Sequence, residues 1–207
     1  RTVAYVDYYT ADTIPNFALY DVLICNTRRH MSAFDWHPGA VYIPWGTDTS
    51  LFSRRPRPLC GPVTFFHSCG MAPERKGTDL VVRAFGRLES GTARLIIHSQ
   101  RPIASYVCSM LGCTEEDLGK RGITLVEETV SAPGLYHLGD VYVYPTRLEG
   151  IGLTIIEALA CGLPVIVPDD GPMNEFVGPG CGTLVPVERF HARADGYYWP
   201  MNVVSLT

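Results

Sequence analysis

The chain of 207 residues lacks the features that mark several large classes of protein. No uninterrupted apolar run reaches the length of a membrane-spanning helix, and the residues after Arg1 do not resemble a signal peptide. The net charge of −4 gives no electrostatic reason to expect nucleic-acid binding. There is also no repeat at solenoid spacing and no low-complexity tract. A globular domain is the class that remains.

Metal and disulfide frameworks are not indicated either. The seven cysteines are odd in number, none form a Cys-x-x-Cys pair, and several lie in apolar segments. An Asp-x-Asp pair, which often holds a divalent ion, is also missing. We therefore predict a protein of a reducing, cytoplasmic compartment without zinc. Because the chain begins with Arg1 and not with Met, we expect a fragment or a processed form.

What is present is a sequence able to build a core, with 46% apolar and 18% charged residues. Segments rich in β-branched and aromatic residues alternate with segments of helical periodicity, which predicts an α/β fold with a Rossmann-like parallel sheet and helices on both faces. The predicted strands are 3–9, 21–25, 41–43, 63–66, 94–98, 123–126, 141–144, 164–167 and 183–185. The predicted helices are 27–36, with Thr27 as N-cap, 78–88, capped by Thr78, 103–111, 132–138, 153–161 and 173–177.

The most informative stretch runs from residue 140 to residue 170 and reads DVYVYPTRLEGIGLTIIEALACGLPVIVPDD. It predicts a strand, a glycine-containing loop, a helix ended by Gly162 and a second strand parallel to the first. A helix that begins near Gly152 has unpaired N–H groups and a partial positive charge, which favour a phosphate or diphosphate. Glu149 and Glu157 flank that helix start. Carboxylates repel phosphate but accept hydrogen bonds from sugar hydroxyls, so the pattern indicates a phosphate between sugar contacts.

Other interpretations of these residues are open. Glu157 alone could be a solvated helix residue, although Ile156, Ala158 and Leu159 around it are apolar. The pair Gly150 and Gly152 fails the dinucleotide fingerprint, because Ile155 occupies the third glycine position. A nicotinamide dehydrogenase is therefore not favoured.

The same stretch resembles the Glu-x7-Glu signature of retaining GT-B glycosyltransferases, of the group 1 or family-4-like type. The resemblance covers about twenty positions, and its matching residues are Pro145, Glu149, Gly150, Gly152, Leu153, Glu157, Ala158, Ala160, Gly162, Pro164 and Val165. It implies that Glu149 is catalytic and contacts the donor sugar, and that Glu157 contacts the nucleotide ribose. The backbone of Gly150, Ile151, Gly152, Leu153 and Thr154 would then bind the diphosphate.

Two further segments resemble the same family. After the strand at 63–66, Lys76 and Gly77 match a loop in which a lysine and an arginine hold the diphosphate, which implies that Lys76 is catalytic. The expected arginine falls at Met71, and Arg75 is the candidate to replace it. The resemblance also implies that Val126, at the end of another strand, and Glu127 and Val130, which follow that strand, read the nucleobase. His98 ends a strand as well and is interpreted as structural.

The segment Ile43 to Phe52 resembles the end of the acceptor-side domain of these enzymes. We therefore divide the chain into residues 1–52 from an N-terminal domain, a linker at 53–62 and a donor-binding domain at 63–207. Arg54, Arg55 and Arg57 in this proline-rich linker are interpreted as solvated, with an anionic partner or peripheral membrane association as the alternative.

The resemblance implies a glycosyltransferase that uses a nucleotide sugar, retains the anomeric configuration and needs no metal or other cofactor. The acceptor stays open: a glycan, a lipid-linked sugar or a small molecule. Since most of the acceptor domain is absent from this sequence, we expect the chain mainly to bind the donor and to transfer little. The alternatives are a non-catalytic module that binds sugar nucleotides and a sugar-nucleotide epimerase of GT-B architecture.

Overall fold

The computed structural model of the protein describes residues 1–56 and 61–205, so Arg57 and the rest of 57–60 within the predicted linker lie outside the described residues. The strands are β1 (Val3–Tyr5), β2 (Val22–Cys25), β3 (Ala40–Tyr42), β4 (Val63–Gly70), β5 (Ala93–Ser99), β6 (Ile123–Glu127), β7 (Val141–Val143), β8 (Val165–Pro168), β9 (Gly182–Val185), β10 (Val187–His191) and β11 (Met201–Val204). The α-helices are α1 (Arg28–Ala33), α2 (Thr78–Phe85), α3 (Ala104–Leu111), α4 (Glu115–Lys120) and α5 (Leu153–Ala160). Short 3₁₀ segments lie at Ile14–Leu19, Tyr136–Leu138 and Met173–Phe176.

The principal sheet has six parallel strands in the order β6-β5-β4-β7-β8-β9. Successive βα units move outward in one direction from β4 and in the other direction from β7. The strand order therefore reverses between β4 and β7, and their carboxyl ends open on one crevice. In open α/β sheets, ligands bind at such a switch point.

The alternation of side chains along the strands divides the core of this sheet into two layers. Phe66, Tyr142 and Tyr144 face α5 and the 3₁₀ segments, whereas Leu95 and Ile97 face α2, α3 and α4. Apolar residues cover both faces, as expected for a parallel sheet. This arrangement confirms the predicted parallel α/β sheet with helices on both faces.

A smaller sheet of three parallel strands, β1-β2-β3, precedes the principal sheet in the chain. The helix α1 follows β2, and its N-cap is Thr27, whose side chain accepts a hydrogen bond from the backbone N–H of His30 at 3.0 Å. The prediction for Thr27 is thus confirmed. The antiparallel hairpin of β10 and β11 returns to this region, where the indole of Trp199 donates to the hydroxyl of Tyr9 at 2.6 Å.

Several predicted elements need correction. The strand predicted at 3–9 ends at Tyr5, and the first helix ends at Ala33 and not near residue 36. The helix predicted at 132–138 is a 3₁₀ segment at Tyr136–Leu138, because Pro133 lacks a donor and Gly134 has a φ of +71°. The helix α4 and the hairpin were not predicted at all. Among the described residues, no helix is both long and apolar enough to cross a membrane.

Thr78 was wrongly predicted as the N-cap of its helix. The cap is Gly77, which has a φ of +74°, and Thr78 is already inside α2. A Cβ on residue 77 would lie 2.1 Å from the carbonyl oxygen of Pro145, so the loop after β4 and the loop after β7 touch through their backbones. Glycine is needed here both for the backbone conformation and for the close approach.

We expect Gly77→Ala to lower the free energy of unfolding by about 2–4 kcal/mol, since it adds left-handed backbone strain to a steric overlap. Gly112→Ala is a matched control. Gly112 also has a left-handed backbone conformation, with a φ of +59°, but a Cβ there would meet nothing within 4 Å. The control should lose only about 1 kcal/mol. Equal losses in urea-induced unfolding would show that the contact with Pro145 does not matter.

Candidate functional site

Two loops form the crevice at the switch point, residues 71–77 after β4 and residues 144–152 after β7. They are joined by a hydrogen bond from the Arg147 N–H to the carbonyl oxygen of Arg75 at 2.8 Å. The guanidinium of Arg147 also binds both carboxylate oxygens of Asp79 in α2, at 2.8 and 2.7 Å. The backbone N–H of Asn202 in β11 donates to the carbonyl oxygen of Arg147 at 2.9 Å. The two loops are therefore fixed relative to each other by a helix and by the hairpin.

The carboxylate of Glu149 is the centre of this crevice, and its Oε1 accepts hydrogen bonds from both loops. The Lys76 ammonium lies 2.5 Å away, the Tyr144 hydroxyl 2.9 Å and the Thr146 hydroxyl 2.8 Å. A guanidinium nitrogen of Arg75 lies 3.5 Å from the same oxygen. The structure thus brings together Glu149, Lys76 and Arg75. It also adds two hydroxyl donors that sequence reasoning missed, although Thr146 and Glu149 are three residues apart in one turn.

Lys76 is a largely buried cation, with 15% of its side chain exposed. Burial lowers the pKa of the Lys76 ammonium, and the charge of Glu149 partly restores it. The Lys76 Nζ also lies 5.1 Å from the centre of the Tyr144 ring, a favourable cation–π distance. Since Glu149 compensates its charge, Lys76 is held as a positive group at the carboxyl edge of the sheet.

His67, another residue that sequence reasoning missed, links β4 to the end of β7 and to the start of α2. It is fully buried in β4, where its Nδ1 lies 2.8 Å from the carbonyl oxygen of Val143 and its Nε2 lies 2.8 Å from the Thr78 hydroxyl. Because a carbonyl oxygen can only accept, Nδ1 carries the proton and Nε2 accepts from Thr78. Burial lowers the pKa of His67 to about 4, so the ring is neutral at pH 7.

The helix α5 begins directly after the Glu149 loop, with Gly152 as its N-cap at a φ of +86°. Leu153 and Thr154 form its first turn, so the backbone N–H groups predicted to bind a diphosphate lie at a true helix start. On the other side of the loop, the imidazole Nε2 of His30 lies 3.0 Å from the carbonyl oxygen of Gly150. Residues 149–152, including the partly buried Ile151, therefore lie between the principal sheet and α1 of the smaller sheet.

Glu157 lies one helical turn further along α5 and is half-buried. Its Oε2 accepts a 2.6 Å hydrogen bond from the hydroxyl of Tyr136. Burial raises the pKa of Glu157, while the bond from Tyr136 acts in the opposite direction. Glu157 is therefore not a freely solvated helix residue, which removes the simplest alternative to a binding role.

The residues predicted to contact the base lie at the β6 edge of the principal sheet. Val126 and Glu127 end β6, and Val130 lies in the loop that follows. The Glu127 carboxylate caps α3, because it accepts from the N–H groups of Ile103 and Ala104 at 2.7 and 2.9 Å. One oxygen of the Glu127 side chain is thus committed to α3, and a contact between Glu127 and a base stays a prediction.

Two other residues of the sequence analysis have a definite place. His98 is buried, and its Nε2 lies 2.9 Å from the carbonyl oxygen of Glu128, so it holds the loop after β6. Met71, at the position expected for an arginine, is 63% exposed. Arg75 instead reaches the crevice, where it donates to the carbonyl oxygen of Leu148 at 2.8 Å.

Fixed cations, unpaired helix N–H groups and two carboxylates thus meet at the switch point of a parallel sheet. This combination suits a ligand that carries both phosphates and hydroxyl groups. The fold is that of an α/β domain of the GT-B type. The six cysteines among the described residues are all free thiols.

Comparison with known proteins agrees with that class. Residues 62–197 match the family model described as "Glycosyl transferases group 1". The chain is 30% identical over 213 residues to the lipopolysaccharide core biosynthesis mannosyltransferase LpsB of Rhizobium meliloti, covering 94% of this chain and 51% of the relative. It is 29% identical over 178 residues to a GDP-mannose-dependent alpha-(1-6)-phosphatidylinositol monomannoside mannosyltransferase of Mycolicibacterium smegmatis, covering 76% and 46%.

Solved structures show the same fold. The crystal structure of Anabaena Alr3699/HepE in complex with UDP and glucose aligns with a TM-score of 0.66 at 16% identity, over 89% of this chain and 57% of that one. The structure of WaaG, a glycosyltransferase involved in lipopolysaccharide biosynthesis, aligns with a TM-score of 0.66 at 17% identity, over 89% and 61%. The chain belongs to the glycosyl transferases group 1 family. It spans about half the length of the curated relatives that it matches.

The neutral, buried His67 makes stability depend on pH. Its pKa is about 4 when folded and about 6.5 when unfolded, so the unfolded state binds more protons between these values. The contribution of His67 is complete above pH 6.5 and is lost as the pH falls toward 4, by about 3 kcal/mol at most. We expect the stability difference between wild type and His67→Asn to shrink over this window in denaturant unfolding. A difference that does not vary with pH would contradict a neutral His67. The buried His30 is present in both proteins, so any effect of its protonation cancels in the comparison.

Proposed function

We propose that this chain forms the donor site of a retaining glycosyltransferase that moves a sugar from a nucleotide sugar to a hydroxyl group. The observation that carries the proposal is the position of Lys76, Arg75 and Glu149 beside the start of α5, with Glu157 one turn further. Sugar, diphosphate and ribose would follow one another from Glu149, across Gly152 and Leu153, to Glu157. The base would lie against the backbone at Val126, Glu127 and Val130.

We propose mannose as the sugar and GDP as its carrier. The support is the function for which the relatives are named: they include a mannosyltransferase of lipopolysaccharide core synthesis and several GDP-mannose-dependent mannosyltransferases. The acceptors named for the latter are phosphatidylinositol mannosides. By analogy, the acceptor here would be a mannose-containing glycan or glycolipid.

The chemistry that these residues supply is stabilisation of the leaving diphosphate. Negative charge grows on the diphosphate as the bond to the sugar breaks, and the helix start and Lys76 are already oriented toward it. Lys76 makes its short bond to Glu149 in this structure, so a diphosphate would have to share or take over the ammonium. Glu149 would then be released to bind sugar hydroxyls. We propose that no metal is needed, because Lys76, Arg75 and the helix N–H groups supply the compensating charge.

A second candidate is a module that binds nucleotide sugars without transferring the sugar. It requires only the donor-binding residues Lys76, Arg75, Glu149 and Glu157 and no acceptor site. Donor binding is common to both candidates, whereas glycosyl transfer distinguishes them. The first experiment is therefore calorimetry of the chain with GDP, GDP-mannose, UDP and UDP-glucose, followed by product analysis with mannosides as acceptors. If no nucleotide binds, both candidates fail.

The two glutamates should affect different ligands. We expect Glu157→Gln to weaken GDP and GDP-mannose alike, by about 1–3 kcal/mol, because it removes a charged acceptor for ribose hydroxyls. We expect Glu149→Ala to weaken GDP-mannose but to leave GDP nearly unchanged. Calorimetry with both ligands measures these differences.

Glu116→Gln, at an exposed position in α4, is the control for these two variants and should bind both ligands as wild type does. Unchanged affinities in Glu157→Gln would exclude the ribose assignment. Equal losses of both ligands in Glu149→Ala would exclude the assignment of Glu149 to the sugar.

Lys76 should act on the diphosphate alone. We expect Lys76→Met, which keeps the aliphatic stem against Tyr144, to weaken GDP by about 2 kcal/mol or more, the scale of a charged hydrogen bond. Binding of guanosine, which has no phosphate, should not change. The ratio of the two affinities is an internal control for folding, and a parallel loss of both ligands would show that Lys76 does not bind phosphate.

A further inference from the structure

The hairpin of β10 and β11 contacts the loop of Glu149 through Asn202, and it also builds a second concave surface. Its tip, residues 191–195, arches toward α2 and α3 and encloses an open cleft of about 890 Å³. Neither Glu149, Lys76 nor Glu157 lines this cleft. Its volume lies within the range of about 300–1,000 Å³ that is usual for small-molecule sites.

The charged groups of this cleft are largely paired with each other. Arg147 binds both carboxylate oxygens of Asp79, and Arg193 at the hairpin tip binds both oxygens of Asp195. Such pairs leave little net charge to attract an ion. They still present lone pairs and N–H groups in fixed positions, which is what neutral hydroxyl groups require.

The remaining lining is aromatic and apolar. The ring of Tyr106 in α3 faces the cleft together with Met110 and with Met201 and Ala192 of the hairpin. The Tyr106 hydroxyl makes no hydrogen bond with any residue in the described parts of the chain. Burial, together with nearby carboxylates, raises the pKa of Tyr106 to about 12, so the hydroxyl stays a donor at neutral pH. An aromatic face beside paired charges suits a pyranose ring, which has apolar C–H faces and a polar rim.

We infer that this cleft binds the units of a neutral oligosaccharide. Tyr106 would stack on one sugar ring, while Asp79 and Arg193 bind hydroxyl groups on either side. Arg75 lines the cleft and also contacts Glu149, so the cleft and the donor crevice adjoin the same loop. A glycan held here would lie beside the reacting centre. The assignment to an acceptor glycan built of mannose rests on the proposed function, but the binding of a neutral oligosaccharide in this cleft does not.

Charge alone does not make this an anion site. Arg83 lines the cleft and has no ion pair with the described residues. A single exposed guanidinium on α2 is a weak anchor for an anion, because solvent screens its charge. Mannose 6-phosphate is the probe that separates the two ligand classes.

The test is a calorimetric or NMR titration of the whole chain with mannotriose, alongside GDP. We expect mannotriose to bind wild type, to bind Tyr106→Ala about tenfold more weakly and to bind Tyr106→Phe with an intermediate affinity, since stacking and the hydroxyl both contribute. GDP should bind all three proteins equally. Tyr20→Ala, at an exposed tyrosine of the smaller sheet region, is the matched control and should bind mannotriose as wild type does.

Three outcomes would overturn the inference: no mannotriose binding by a protein that binds GDP, equal binding by wild type and Tyr106→Ala, or binding of mannose 6-phosphate in the cleft without mannotriose. A failure of the proposed function would give a different set of results. If GDP does not bind but mannotriose binds through Tyr106, the cleft stands and the donor site does not. Glu157→Gln completes the separation, because it should weaken GDP and leave mannotriose unchanged.

Discussion

The contact of one carboxylate with two loops determines how this site is built. Only 11% of the Glu149 side chain is exposed to solvent, and a buried charge is costly unless it is paired and hydrogen-bonded. Lys76 supplies the opposite charge from the loop after β4, while Tyr144 and Thr146 supply hydroxyls from its own loop. The two loops must therefore lie within a hydrogen bond of each other. The close backbone approach of Gly77 to Pro145 follows from this requirement.

The surrounding residues hold that arrangement from outside the crevice. Arg147 ties its own loop to Asp79 of α2, and Asn202 of β11 donates to the carbonyl oxygen of Thr146 at 3.2 Å. On the opposite side, His30 of α1 contacts Gly150. The loop of residues 144–152 is thus held by the principal sheet, the hairpin and the smaller sheet together. Such multiple support limits motion at the point where the proposed function requires accurate placement of a diphosphate.

The sequence predicted the parts of this structure that depend on local periodicity. The strands of the principal sheet, α5 and the parallel pairing of β7 with β8 follow from apolar patterns and from Gly162. The prediction of Thr78 as the N-cap of α2 was wrong because the backbone conformation of residue 77 is set by contact with Pro145, which is distant in sequence. Tyr136, Tyr144 and His67 were missed for the same reason: in the sequence they look like ordinary core residues, and only the fold places their polar atoms against Glu157, Glu149 and α2.

The pairing of Lys76 with Glu149 also bears on how a donor could be recognised. A lysine held by a carboxylate attracts an isolated phosphate less than a free lysine does, because the local charge is already compensated. A ligand that offers a diphosphate to Lys76 and hydroxyl groups to Glu149 satisfies both partners when they separate. A nucleoside diphosphate offers phosphate to Lys76 but no sugar hydroxyl to Glu149, whose carboxylate keeps its hydrogen bonds from Tyr144 and Thr146. On the proposed function, the intact nucleotide sugar therefore gains a contact that its diphosphate product lacks, which would help the product to leave after transfer.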